Sequence, residues 1–194
     1  MKIKLILVAL MGVMLFSSCA KYPQAQVDQV TVAVDSVKAV GGDLYVPEIF
    51  KALTDSFTSA KAQVETEKSK FFKTYKVAKA SLVVVNTMAV DALVKVEARK
   101  AELKAENDAL VVEVKALVVT DKELLAKAPK GKDGKAALEA IKTDISTVEA
   151  TIVEVEGLIV SGDILGANTK IKVAKGKATD LKNELEEVLV KVGK

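Results

Sequence analysis

Histidine and tryptophan are absent from this chain, cysteine occurs once, proline three times, and aromatic residues make up only 4% of the sequence. Each shortage removes a class of chemistry. Without histidine the commonest general base and transition-metal ligand is missing. A single cysteine permits no intrachain disulfide. Arg99 is the sole arginine, so the clustered basic face that a nucleic-acid partner requires is lacking. Paired carboxylates are the remaining route to acid–base catalysis. Glu154 with Glu156, and Glu186 with Glu187, stand at helix spacings that point away from each other. The sequence holds no glycine-rich phosphate loop and no zinc-protease helix, and Asp163 lacks the other acidic ligands of a calcium loop. The expectation is a protein that is not an enzyme and that takes no cofactor, metal or nucleic acid.

What is present begins at the amino end. Lys2 and Lys4 precede Leu5 to Phe16, a run of twelve apolar or small residues that ends at Ser17 and Ser18. A bilayer span needs about 20 apolar residues, so the run fits a signal peptide over residues 1–18 better than a transmembrane helix. Phe16-Ser17-Ser18-Cys19 resembles the bacterial lipobox, with Phe16 where leucine is usual. The resemblance implies that Cys19 is the acylated first residue of the mature chain. One acyl chain holds only marginally at ~0.8 kcal/mol per buried CH₂, so the two or three chains of a lipoprotein, palmitate among them, give durable attachment. Ala20 resembles an outer-membrane sorting residue, which places the expected lipid-anchored protein at the outer membrane, facing the periplasm. Cleavage removes Lys2 and Lys4 from 29 basic side chains and leaves all 26 acidic ones, a nearly neutral mature chain.

Beyond the anchor, Ala, Val, Leu, Lys and Glu dominate, and apolar residues recur at alternating three- and four-residue steps, the pattern of packed helices. Val27, Val30, Val34 and Val37 form a first stripe that stops at Gly41-Gly42. Val30 to Val34 also alternates as a strand would, but the stripe outruns the alternation. Pro47 then opens a helix lined by Val46, Phe50, Leu53, Phe57, Ala60 and Val64. From Ser69 to Lys127 neither proline nor glycine occurs, and Leu82, Ala89, Val96, Leu103, Leu110, Leu117 and Leu124 repeat every seven residues. A continuous helix there would reach ~90 Å at ~1.5 Å per residue. Its middle, with Arg99, Lys100, Glu106 and Asn107, is expected to face solvent, and Phe71 and Phe72 are expected in the core. Pro129, Gly131 and Gly134 mark a loop. Two further stripes follow, Leu138 to Ile159 and Ile171 to Val192, separated by a turn at Ser161-Gly162-Asp163.

The stripe Val46 to Val64 recurs 95 residues later as Ile141 to Ile159, and Tyr75 to Ala89 recurs 96 residues later as Ile171 to Leu185. This is the pattern of a duplication or of two unrelated amphipathic helices. The expected fold is all-α: an elongated antiparallel helical bundle or coiled coil of about five helices, with one long central helix shared by two three-helix segments. The expected divisions are the signal peptide at 1–18, an N-terminal helical segment at 19–98 and a C-terminal helical hairpin segment at 99–194.

Ala25-Gln26-Val27-Asp28, followed by the run from Val37 through Gly41-Gly42-Asp43-Leu44-Tyr45-Val46-Pro47 to Phe50, resembles the start of the domain of unknown function 4398, a helical domain of bacterial envelope lipoproteins. The resemblance covers roughly residues 22 to 95, with an echo in 137 to 190. It implies location and shape and carries no catalytic residues. One charge cluster remains, Lys127, Lys130, Lys132 and Lys135, opposed only by Asp133. It suits either a polyanion such as peptidoglycan or an ordinary solvated loop. The expected function is structural or adaptor-like, with envelope proteins or peptidoglycan as partners. The alternatives are a wall-binding module or a carrier of lipid or unfolded chains. Long stripes also admit a homo-oligomer. Lys194 matches the last residue of the wall-linked murein lipoprotein, without the residues that precede it there.

Overall fold

The computed structural model describes residues 21–129 and 134–192. Cys19, Lys130, Lys132 and Lys194 lie outside that range. The described residues form six helices and no strand: α1 (Gln24–Ala39), α2 (Gly42–Tyr45), α3 (Pro47–Ser69), α4 (Lys76–Lys127), α5 (Lys135–Ser161) and α6 (Ile164–Val192). The fold is an all-α helical bundle with one long central helix. The sixth helix is the four-residue α2, which fills the Gly41-Gly42 junction that the sequence marked only as a stop.

The chain divides into two compact units between Arg99 and Lys100, within α4. In unit 1, α1, α3 and the first part of α4 pack in alternating directions. The start of α1 lies beside the end of α3, where the Tyr22 hydroxyl donates to Glu65 Oε1 at 2.7 Å, and Ser81 of α4 donates to Gln63 of α3 at 2.7 Å. The core consists of Val30, Ala33, Val34 and Val37 from α1, Leu53, Phe57, Ala60 and Val64 from α3, and Tyr75, Ala78, Leu82, Val85, Ala89 and Ala92 at and along α4. Three helices each turn a three–four stripe inward, so no side of the core is left to water.

Unit 2 repeats the plan with the rest of α4, α5 and α6. Each pair of helices is laced by ion pairs: Lys115–Glu156 and Lys122–Glu149 join α4 to α5, Glu106–Lys172 and Glu113–Lys175 join α4 to α6, and Glu154–Lys170 and Asp144–Lys177 join α5 to α6. The first set runs in opposite senses along the two helices and the second in the same sense, which fixes α5 antiparallel and α6 parallel to α4. Half-exposed pairs of this kind contribute ~0.2–1 kcal/mol each, so their larger effect is on register and partner choice.

Three expectations are corrected. The long helix begins at Lys76, not Ser69, because Lys70 to Tyr75 leave helical geometry. Phe71 and Phe72 are not in the core; they sit at that break, 93% and 85% exposed. The middle of α4 is not uniformly solvated either, since Asn107 is fully buried. The seven-residue ladder holds from Leu82 to Leu103, after which the buried positions step by four and four to Asn107 and Val111 and continue through Val114 and Val118. Leu110, Leu117 and Leu124 move to the edge, half-buried against the unit 2 core. A straight α-helix drifts ~20° per heptad against a strict seven-residue repeat, and an extra four-residue step takes up that drift.

The turns follow glycine chemistry. Gly162 ends α5 at φ +90°, with its N–H donating to Ile159 O and the Asp163 N–H to Leu158 O, the paired bonds of a Schellman cap. Asp163 then caps α6 by accepting from the Gly166 N–H at 3.0 Å.

Candidate functional site

Of the lysine cluster, Lys127 ends α4 and Lys135 begins α5, both exposed. Between these helices an open groove of about 840 Å³ is lined by Leu125, Ala126, Leu138 and Ile145 together with Lys122, Lys135 and Lys142. Glu139 and Glu149 also line it, Glu149 in an ion pair with Lys122 at 2.7 Å and Glu139 with Lys142 at 3.8 Å. Two of its three lysines are therefore met by carboxylates, so the groove is not a concentrated cationic site.

The polar groups brought deepest into the structure were not expected there from the sequence, which placed Asn107 in solvent and did not single out Asp121 or Asn168. Asn107 donates to the Ile164 carbonyl at 2.9 Å and accepts from Asn168 at 2.7 Å, a buried link between α4 and the start of α6. Asp121 is fully buried and neither of its carboxylate oxygens has a hydrogen-bond partner. Burial pushes its carboxyl up to about 6, against a weaker opposing pull from Lys182. The legible signal was the stripe Val111, Val114 and Val118, whose next three-residue step lands on Asp121. An isolated carboxylate of this kind lacks the second acid and the cleft that catalysis would use. Among the described residues, no three acidic, histidine or cysteine side chains gather where a metal ion would be held.

A third cluster lies where the described chain begins. The Tyr22 ring meets Tyr75 edge-on at 5.9 Å, and Lys68 Nζ stands 5.2 Å from the Tyr22 ring centre. The hydrogen bond to Glu65 raises the Tyr22 phenol above its ordinary range and holds Glu65 below its own. Residue 22 is thereby tied to the end of α3 and the start of α4. Phe71 and Phe72 project from the connection between those two helices, packed edge-on at 5.0 Å.

The chain matches no family model, no curated protein and no solved structure.

Proposed function

We propose that this chain is a bacterial envelope lipoprotein, held to the outer membrane's periplasmic face through acyl chains on Cys19, whose helical units serve as a structural or adaptor element for other envelope proteins. The observation that carries the reading is Phe16-Ser17-Ser18-Cys19 directly after a basic start and a short apolar run. The fold is in keeping with it: Tyr22, three residues after Cys19 in the sequence, is pinned to Glu65 and Tyr75.

The adaptor role is supported by exposed valines at seven-residue spacing, Val77 and Val84 on one part of α4, Val112 and Val119 on another, and Val153 and Val160 on α5. Scattered exposed apolar residues are ordinary, but pairs one heptad apart form a seam that a partner helix can cover.

Labelled palmitate supplied to cells is expected in the wild-type protein and absent from Cys19→Ser, with a mature amino end that starts at Cys19 by mass spectrometry. Lysine crosslinking in cells is expected to trap an envelope protein. Val112→Lys with Val119→Lys is expected to abolish that product with helicity unchanged. An unmodified Cys19 would refute the anchor, and crosslinking that captured no partner would refute the adaptor role.

A further inference from the structure

Phe71 and Phe72 are the most exposed aromatic residues described, adjacent, and at the tip of a connection rather than over a core. Two neighbouring phenylalanines offered almost whole to water are costly unless something apolar receives them. Their surroundings are cationic. Lys68 and Lys70 are paired with Glu65 and Glu67 at 3.2 and 2.6 Å, while Lys21, Lys73 and Lys76 are exposed and have no acidic partner among the described residues. Exposed aromatic rings with lysines close by along the chain match the boundary of an anionic bilayer, where rings enter the acyl region and ammonium groups meet phosphates.

The location selects the same occupant. Tyr22 is three residues from Cys19, at most ~11 Å of extended chain, and it packs against Tyr75, itself three residues from Phe72. An acylated Cys19 therefore brings the aromatic tip to the depth of the lipid headgroups. We infer that the Phe71-Phe72 tip, with Lys21, Lys73 and Lys76, is a second membrane contact that inserts into an anionic phospholipid surface beside the lipid anchor. This rests on the proposed acylation of Cys19 for its placement. The acyl chains retain the protein; the tip adds a second fixed point, which sets the orientation of unit 1 on the bilayer.

The chain contains no tryptophan, so Phe72→Trp installs a sole reporter. The full protein carrying Phe72→Trp, purified from membranes and reconstituted in vesicles containing phosphatidylglycerol, is expected to emit to the blue of its detergent-free, urea-unfolded spectrum and to lose intensity to lipids brominated in their acyl chains. Leu44→Trp, exposed at the other end of unit 1, is expected to show no such quenching. Adding Lys73→Glu and Lys76→Glu should reduce the quenching of the Phe72→Trp indole. Absence of quenching in a protein whose amino-terminal mass proves acylation overturns this inference and leaves the proposed function standing. Equal quenching in wholly zwitterionic vesicles overturns the assignment of the lysines to anionic lipid. An amino-terminal mass without acyl groups overturns the proposed function, and the placement of the tip falls with it.

Discussion

Asp121 shows what one residue costs when a helical stripe runs through it. An unfolded aspartate titrates near 3.9, whereas burial raises Asp121 to about 6 in the fold. Between those values the folded state holds more protons than the unfolded one, so this group's contribution to stability falls as pH rises through that window and is flat above it. The full penalty is ~3 kcal/mol at neutral pH, taking 1.36 kcal/mol per pKa unit. Urea midpoints measured from about pH 4 to pH 8 should therefore show wild-type protein losing stability relative to Asp121→Asn across the window. Asp121→Leu should be more stable than wild type at neutral pH. A wild-type-minus-variant difference that does not change with pH would contradict the assignment. Asn107 differs in having its buried amide satisfied on both sides. A lone polar residue in an apolar stripe is visible in sequence; whether it finds a partner there is not.

At the scale of elements, helix ends were the most legible feature, because glycine and proline act locally. Gly41 and Gly162 both adopt left-handed geometry, at φ +85° and +90°, and Pro47 occupies the first turn of α3. The two glycine turns differ in what surrounds them. A Cβ at Gly162 would meet nothing within 4 Å, so Gly162→Ala should cost only the left-handed backbone penalty of ~1–2 kcal/mol. A Cβ on Gly42 would come within 2.5 Å of Val37 Cγ1 and 2.8 Å of Val37 O, and backbone cannot yield as a side-chain tip can. Gly42→Ala should therefore lower the thermal midpoint more than Gly162→Ala, although Gly42 is helical. The reverse order would show that the α1–α2 junction is looser than its geometry. The break at Lys70 to Tyr75 was illegible for the opposite reason, since no glycine or proline marks it. It follows from where Tyr75 is buried against Tyr22.

For the molecule as a whole, the two compact units each own a core drawn from three helices. Of the positions paired by the 95-residue offset the middle three are used alike, while Val46, Phe50 and Ile159 are only half-buried where Ile141, Ile145 and Val64 are buried; all five pairs at the 96-residue offset are buried in both units. Leu53, Phe57 and Ala60 are buried in α3 as Val148, Ile152 and Val155 are in α5, and the stripe Tyr75, Ala78, Leu82, Val85 and Ala89 is buried as Ile171, Ala174, Ala178, Leu181 and Leu185 are. Separate cores predict separate local stability. Leu53→Ala removes a fully buried side chain from unit 1 and should cost ~2–5 kcal/mol. In hydrogen exchange the loss of protection should fall on α1, α3 and the start of α4, with α5 and α6 amides unchanged. Equal loss throughout would mean that the chain opens as one cooperative body.

Composition and periodicity by themselves determined that the chain is helical, where its glycine turns fall and, outside the second half of α4, which faces point inward, because those properties depend on spacing along one helix. Only the tertiary structure decided that the seven-residue ladder yields to a four–four step after Leu103, that Asn107 and Asp121 are buried, and that Phe71 and Phe72 are left in water. Each of these depends on which neighbouring helix lies opposite a given residue, and a pattern read along one strand of sequence carries the period of a face but not the identity of what covers it.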